Sequence, residues 1–376
     1  MANSLYIHIP FCRQKCPYCD FYSINYDNEL ANSYLKALIQ QIDTVNNNFT
    51  TLYIGGGTPS VLSFNLLKIL LKSLSKLSKK AKEFTIEANP ESLDEDKIKL
   101  FLDNGVTRLS LGVQSLSDMK LKKLGRIHFA DKGRKSILLA KKEGFKNIST
   151  DLIFGLPEES LESWAKELKE VVRLPLNHIS VYSLTYEKNT LFFKELQKKK
   201  IKPLNDEIAA KMYKLAMAYL PKKGFRQYEV SNFAKRGFIC RHNYNYWQNK
   251  PYLGLGSSAV SFLQGQRLRN PKPIEDYIVK VNKGLNPALF IEKLSPLRHA
   301  KETAALKIRT KEGIDFAWFK KECGYDFLTI EAKVLTKLIR ERLLKYKKSS
   351  VGKRTGIFLT EKGFLFADTV ASYFLL

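Results

Sequence analysis

The sequence predicts an α/β fold: an open, partial (β/α)6 barrel followed by a winged-helix-like α+β domain. Three observations lead there. β-type runs alternate with amphipathic helical stretches through the first half of the chain, the pattern of a parallel sheet with covering helices. The alternation yields six units in about 180 residues, fewer than the eight units and about 250 residues of a closed barrel. From Pro296 onward the order becomes helix, helix, helix, hairpin.

Taken in order, the strand runs are Leu5 to Ile9, Thr51 to Ile54, Glu83 to Glu87, Arg108 to Gly112, Asn147 to Ile153 and His178 to Leu184. Each is short and bounded by turn residues. Between them, Leu30 to Val45, Leu66 to Leu77, Glu95 to Asn104, Lys132 to Glu143 and Leu161 to Val172 carry apolar residues at helical spacing. After Leu184 the rhythm changes. Asp206 to Lys223 reads as one more helix, and Gly224 to Gly265 is rich in Gly, Asn, Tyr and Ser. The stretch Asn270 to Leu294, with Pro271, Pro273 and Pro287, reads as a connector. The C-terminal part then shows a helix from Pro296, a turn at Thr310 to Ile314, helices at Ile314 to Cys323 and Thr329 to Leu343, and a hairpin ending in GIFLTEKG. The expected units are residues 1–235, 236–295 and 296–376.

The chain has 376 residues, 44% of them apolar, with 63 Lys and Arg against 37 Asp and Glu, a formal charge of +26. That apolar content belongs to a folded protein rather than a polybasic tail. A summed positive field draws nucleic acid, anionic membrane surfaces and anionic substrates alike. Here the cations fall in short scattered runs such as Lys79-Lys80, Lys198 to Lys200 and Lys347-Lys348, as on solvated helix faces. No run reaches the roughly 18 apolar residues of a spanning helix, and MANSLYIHIPFC lacks the pattern of a signal peptide, so a cytoplasmic location is expected.

Of five cysteines, Cys12, Cys16 and Cys19 fall within eight residues, while Cys240 and Cys323 stand alone and read as ordinary buried thiols. A disulfide framework would be spread out, so the cluster reads as a metal or redox site in a reducing compartment. It follows the first strand directly, at the strand end where parallel α/β barrels place their chemistry. Four thiolates close a [4Fe-4S] cluster, whereas three leave one iron open to a small molecule. The competing reading is zinc, which needs a fourth ligand; His8 is the nearest candidate.

The segment Cys12-x3-Cys16-x2-Cys19, with Tyr18 before the last thiol, resembles the signature of the radical S-adenosylmethionine superfamily. The resemblance implies a radical-SAM barrel. It also implies a cluster whose open iron is chelated by the amine and carboxylate of S-adenosylmethionine, and reductive cleavage to a 5′-deoxyadenosyl radical. Further segments resemble the oxygen-independent coproporphyrinogen III oxidase-like branch: Gly55 to Pro59, Glu87 to Pro90, Ser110 to Ser115 with Leu124 to His128, and Asp151 to Pro157. By position in these motifs, Tyr6, Gly57, Thr58, Glu87, Gln114, Arg126 and Asp151 are implied S-adenosylmethionine contacts. Gly-rich turns let backbone amides approach a ligand.

Beyond the barrel, Arg241-His242-Asn243-Tyr244-Asn245-Tyr246-Trp247 carries an HNxxYW pattern resembling the heme-chaperone side of that branch. A neutral His can ligate heme iron, which makes His242 the implied heme contact; a buried His among aromatics is equally a satisfied core residue. The oxidase pattern has a fourth Cys two residues after the third, where this chain has Phe21. That favours a heme chaperone, with heme and an acceptor protein as partners and association with a membrane surface as an option. The alternatives are a coproporphyrinogen oxidase and a radical enzyme acting on RNA. RNA ranks last because no RNA-reading motif accompanies the charge. Where the family often has His, this chain has Val260, and Ala305-Leu306-Lys307-Ile308-Arg309 replaces the more usual Leu-Gly-Leu-Arg.

Overall fold

A computed structural model describes residues 2–375. The six expected strands are β1 (Ser4–Ile9), β2 (Thr51–Gly56), β3 (Glu83–Ala88), β4 (Arg108–Gln114), β5 (Ile148–Phe154) and β6 (His178–Ser183). They pair in parallel in that order. The covering helices are α1 (Asn28–Asp43), α2 (Phe64–Ser73), α3 (Glu95–Asp103), α4 (Asp118–Lys123), α5 (Ala130–Lys142) and α6 (Leu161–Val171). Their starts are chemically marked: Asp27 accepts from Leu30 N at 2.8 Å, and Asp94 from Lys97 N at 2.9 Å, satisfying amides that no helical carbonyl reaches.

Because strand side chains alternate between faces, each barrel strand sorts into two sets. Leu5, Ile7, Leu52, Ile54, Phe84, Ile86, Leu109, Leu111, Ile179 and Val181 are buried in the core under the helices. The other face, turned inward, is polar: Tyr6, His8, Tyr53, Thr85, Glu87, Arg108, Ser110, Ser149, Asp151, His178 and Ser180. A sheet that is apolar outside and polar inside encloses a hydrophilic lumen, and this positions everything described below.

The region after residue 224 departs from the sequence expectation. Tyr252–Leu255 (with β7 at Asn232–Ala234, this is β8) pairs in parallel with β1 on its free side, and β7 closes the other end of the barrel antiparallel to β6. β9 (Val260–Leu263), β10 (Gln266–Arg269) and β11 (Leu289–Lys293) extend the same sheet antiparallel, giving twelve strands in all among the described residues, with Arg226–Gln227 at the far edge. Glycine here marks close approach and not a loop: a Cβ on Gly254 would lie 2.1 Å from the carbonyl oxygen of Val260. The expected connector Asn270 to Leu294 holds a helix, Ile274–Asn282, and β11. Pro273 sits at that helix's N-cap, where a missing amide costs nothing.

The C-terminal part has helices Pro296–Lys307, Phe316–Cys323 and Ala332–Arg340 and a three-stranded sheet in the order Ile314–Asp315, Arg354–Leu359, Leu344–Lys348. The helix expected over Thr329 to Leu343 is broken at Glu331. Two helices that the sequence reading did not anticipate, Glu361–Leu365 and Ala367–Tyr373, follow the hairpin and bury Phe364, Val370 and Ala371. Cys240 is fully buried, whereas Cys323 is only half-buried.

Candidate cofactor site at the barrel mouth

The cysteine loop leaves β1 and is anchored at both ends. Phe11–Cys12 pairs with Ile24–Asn25, and Ile24 N donates to Pro10 O while Tyr26 N donates to Cys12 O, each at 2.8 Å. Cys12, Cys16 and Cys19 are half-buried free thiols. The Cys16 thiol lies 3.3 Å from an Arg126 guanidinium nitrogen, and Cys12 Sγ lies 3.6 Å from Thr58 Oγ1. Burial pushes the Cys12 thiol up and the Cys19 thiol to about 11. Metal uptake must therefore release protons held by these thiols.

The zinc reading loses its fourth ligand here. His8 Nε2 donates to Tyr22 O at 3.0 Å, so Nδ1 accepts from the Tyr6 hydroxyl at 2.9 Å, and burial holds the imidazole neutral with its pKa lowered to about 4. Both nitrogens are engaged, tying the loop back to β1. Among the described residues no three His, Cys, Asp or Glu side chains converge on a single ion position. A cluster makes no such demand, since each thiolate takes its own iron.

Beneath the loop the lumen opens. On β1 to β5 the positions that keep partial exposure are Tyr6, Gly56, Glu87, Gly112, Gln114 and Asp151, which include four of the residues implied as ligand contacts. The Glu87 carboxylate accepts from the Tyr53 hydroxyl at 2.6 Å and from Gly56 N at 3.3 Å, and burial raises its pKa to about 7. Burial also raises Asp151. Gln114 holds a left-handed φ of +66° at the end of β4, a costly conformation for a non-glycine residue. Arg126 donates to Gly112 O at 2.9 Å while its Nε, also buried, has no partner.

The Gly-rich turn works differently from the sequence expectation. Gly56 N serves Glu87, Gly57 N donates to Ile9 O at 2.8 Å and Thr58 N to Phe11 O at 2.7 Å. These amides bind the cysteine loop and the lumen acid, so what Gly57 offers a ligand is not its N–H.

His242, the implied heme contact, is not brought to the cysteines. Its ring meets Thr51 Oγ1 at 2.9 Å, at the start of β2, while the cysteines follow the end of β1. Thr51 gives its one hydroxyl proton to Ser4, so His242 Nδ1 donates to Thr51 and Nε2 accepts from Tyr246 OH at 2.8 Å. The residue is fully buried and burial lowers its pKa to about 3. Around it, Glu83 accepts from the backbone of Arg241 and His242, each at 2.9 Å, at the start of the helix Arg241–Trp247. The HNxxYW segment is the floor of the barrel.

One group escaped the sequence reading. Lys120 on α4 bridges Glu159 at 2.7 Å and Glu167 at 2.5 Å, all three buried. Glu159 accepts from Gly155 N and Leu156 N after β5; Glu167 accepts from Leu116 N and the Ser115 hydroxyl after β4. Only distant sequence positions make this network, so no local pattern announces it.

The residues present fit an iron-sulfur cluster with a polar cationic ligand. There are three separate thiols, a buried guanidinium nitrogen of Arg126 without a partner, and two lumen carboxyls, Glu87 and Asp151, whose pKa values burial raises although the Arg108 guanidinium opposes the shift. Comparison with known proteins agrees. Residues 6–171 match the Radical SAM superfamily and residues 294–366 the HemN C-terminal domain. The chain is 35% identical to the heme chaperone HemW of Lactococcus lactis over 379 residues, covering 100% of this chain and 97% of that one. It is 35% identical to the heme chaperone HemW of Bacillus subtilis, covering 99% of each. The solved coproporphyrinogen III oxidase HemN of Escherichia coli superposes with a TM-score of 0.84 over 99% of this chain and 89% of that one, at 24% identity, and so shares the fold.

Proposed function

The chain belongs to the HemW family of radical S-adenosylmethionine proteins, and from that premise we propose that it binds heme and passes it to an acceptor protein, with a [4Fe-4S] cluster and S-adenosylmethionine as resident cofactors. The observation that carries this reading is the set of three half-buried thiols above a polar lumen. That set occurs in a chain that aligns end to end with proteins named heme chaperones. Cys12, Cys16 and Cys19 hold the cluster. Arg126 faces a ligand carboxylate, Glu87 and Asp151 accept hydrogen bonds from ligand hydroxyls, and Tyr6, Gly57, Thr58 and Gln114 complete the contacts. When bound, the two cofactors supply one-electron chemistry at a sulfonium. The polypeptide's part is to orient the ligand under the open side of the loop and to limit water there.

Heme enters this reading as cargo. Since His242 is engaged on both nitrogens at the barrel floor, heme capture does not use it. The test is anaerobic reconstitution followed by absorption and EPR spectra with S-adenosylmethionine and then hemin. Comparison is with the triple variant Cys12→Ala, Cys16→Ala, Cys19→Ala. The expected result is a cluster signal perturbed by S-adenosylmethionine and absent from the variant, with a Soret band on adding hemin. A cluster without heme binding would overturn the chaperone reading, and no cluster would overturn the whole.

A further inference from the structure

The contact between Cys12 and Thr58 belongs to a longer chain of hydrogen bonds. Thr58 Oγ1, 3.6 Å from Cys12 Sγ, also accepts from Asn89 Nδ2 at 2.9 Å. A hydroxyl has one proton to give. With its acceptor side held by the Asn89 amide, that proton is left for the sulfur. A thiolate bound to iron can only accept, so in the loaded state the direction is settled: Asn89 donates to Thr58 and Thr58 donates to Cys12.

Asn89 is itself held in the orientation that makes this work. Its backbone N donates to Ser60 Oγ at 3.1 Å, and Ser60 Oγ lies 2.6 Å from Ser92 Oγ. On its other side, a Cβ on Gly112 would come within 2.5 Å of Asn89 Oδ1. Only a residue without a side chain on β4 leaves room for the carboxamide. Residues from three successive strand ends therefore converge on one sulfur.

We propose that Asn89 and Thr58 form a relay that positions a hydrogen-bond donor on the Cys12 sulfur and thereby raises the reduction potential of the cluster, with Gly112 providing the space for it. The inference rests on the cluster reading above. Hydrogen bonds to cluster sulfurs stabilise the more negative, reduced state and are among the main determinants of potential. Thr58 and Asn89 are positioning residues in this account.

The relay makes a directional prediction that a structural role does not. Thr58→Val keeps the shape and removes the donor. Asn89→Asp is nearly isosteric but turns the donor into an acceptor, so Thr58 gives its proton to the new carboxylate and abandons the sulfur. Thr58→Ser keeps the hydroxyl. The experiment is a potentiometric EPR titration of each reconstituted protein without S-adenosylmethionine. Thr58→Val should shift the ratio of reduced to oxidised cluster at fixed potential about tenfold toward oxidised, about 59 mV for one electron. Asn89→Asp should fall at least as far, and Thr58→Ser should retain the wild-type potential. A loaded Thr58→Val protein with the wild-type potential would overturn the relay while leaving the cluster reading intact; a wild-type protein that takes up no cluster would overturn both. If Asn89→Asp fails to load, the Val and Ser pair still decides.

Discussion

Replacing Lys120 by Met should destabilise the protein and loosen the barrel mouth at once. The side chains of Lys120, Glu159 and Glu167 retain 9%, 2% and 5% of their exposure, so solvent screens none of them well. One cation serves two carboxylates, and the excess negative charge is met by Gly155 N, Leu156 N, Leu116 N and the Ser115 hydroxyl. Methionine fills most of the lysine's volume but leaves two buried carboxylates facing each other. Breaking a buried pair from one side costs about 3–5 kcal/mol. With an unfolding entropy of about 2.1 cal/mol/K per residue, this lowers the melting temperature by about 4–6 °C. The assay is thermal unfolding of wild type, Lys120→Met and the triple variant Lys120→Met, Glu159→Gln, Glu167→Gln. Removing the stranded charges should recover part of the loss. Since the network secures the turns after β4 and β5, affinity for S-adenosylmethionine should fall in the single variant. A Lys120→Met protein that melts within about 1 °C of wild type would refute the argument.

His242→Ala should cost about 2–4 kcal/mol, because Thr51 and Tyr246 lose a buried partner and a cavity opens in the floor. Hemin binding by the folded variant, followed at the Soret band, should match wild type; its loss would return His242 to the heme site. For Glu87 the folded pKa of about 7 lies above the unfolded value of 4.5, so the folded protein holds the extra proton and its stability falls as pH rises between those values. Glu87→Gln should therefore gain stability over wild type, by on the order of 2–3 kcal/mol, between pH 4.5 and 7.5 in the cofactor-free protein. Denaturant titrations at the two pH values measure this, and equal pH dependence in both proteins would count against the buried carboxyl.

The barrel was readable because its signals are local. The runs at Leu5, Thr51, Glu83, Arg108, Asn147 and His178 alternate with amphipathic helices, and the structure moves their ends by only a residue or two. The region after Gly224 was harder. Gly254, Pro273 and Asn270 carry the marks of loops, yet β8 to β11 are strands because β1 offers a free parallel edge that a short Gly-containing segment can meet closely. Propensity is a weak prior where tertiary pairing decides.

For the site, the spacing of Cys12, Cys16 and Cys19 and the order of the motifs at successive strand ends were determined by the sequence alone. Residues a few positions apart on one loop must stay together, and strand ends in a parallel barrel share one rim. Which partners those residues meet was decided only by the tertiary structure. The assignment of Gly56 and Gly57 amides to the protein itself, the removal of His242 to the floor, the Lys120 network and the Asn89 to Thr58 to Cys12 relay all join residues tens to hundreds of positions apart. Hydrogen-bond direction depends on which donors and acceptors the folded chain brings within about 3 Å, and no pattern along the chain encodes that distance.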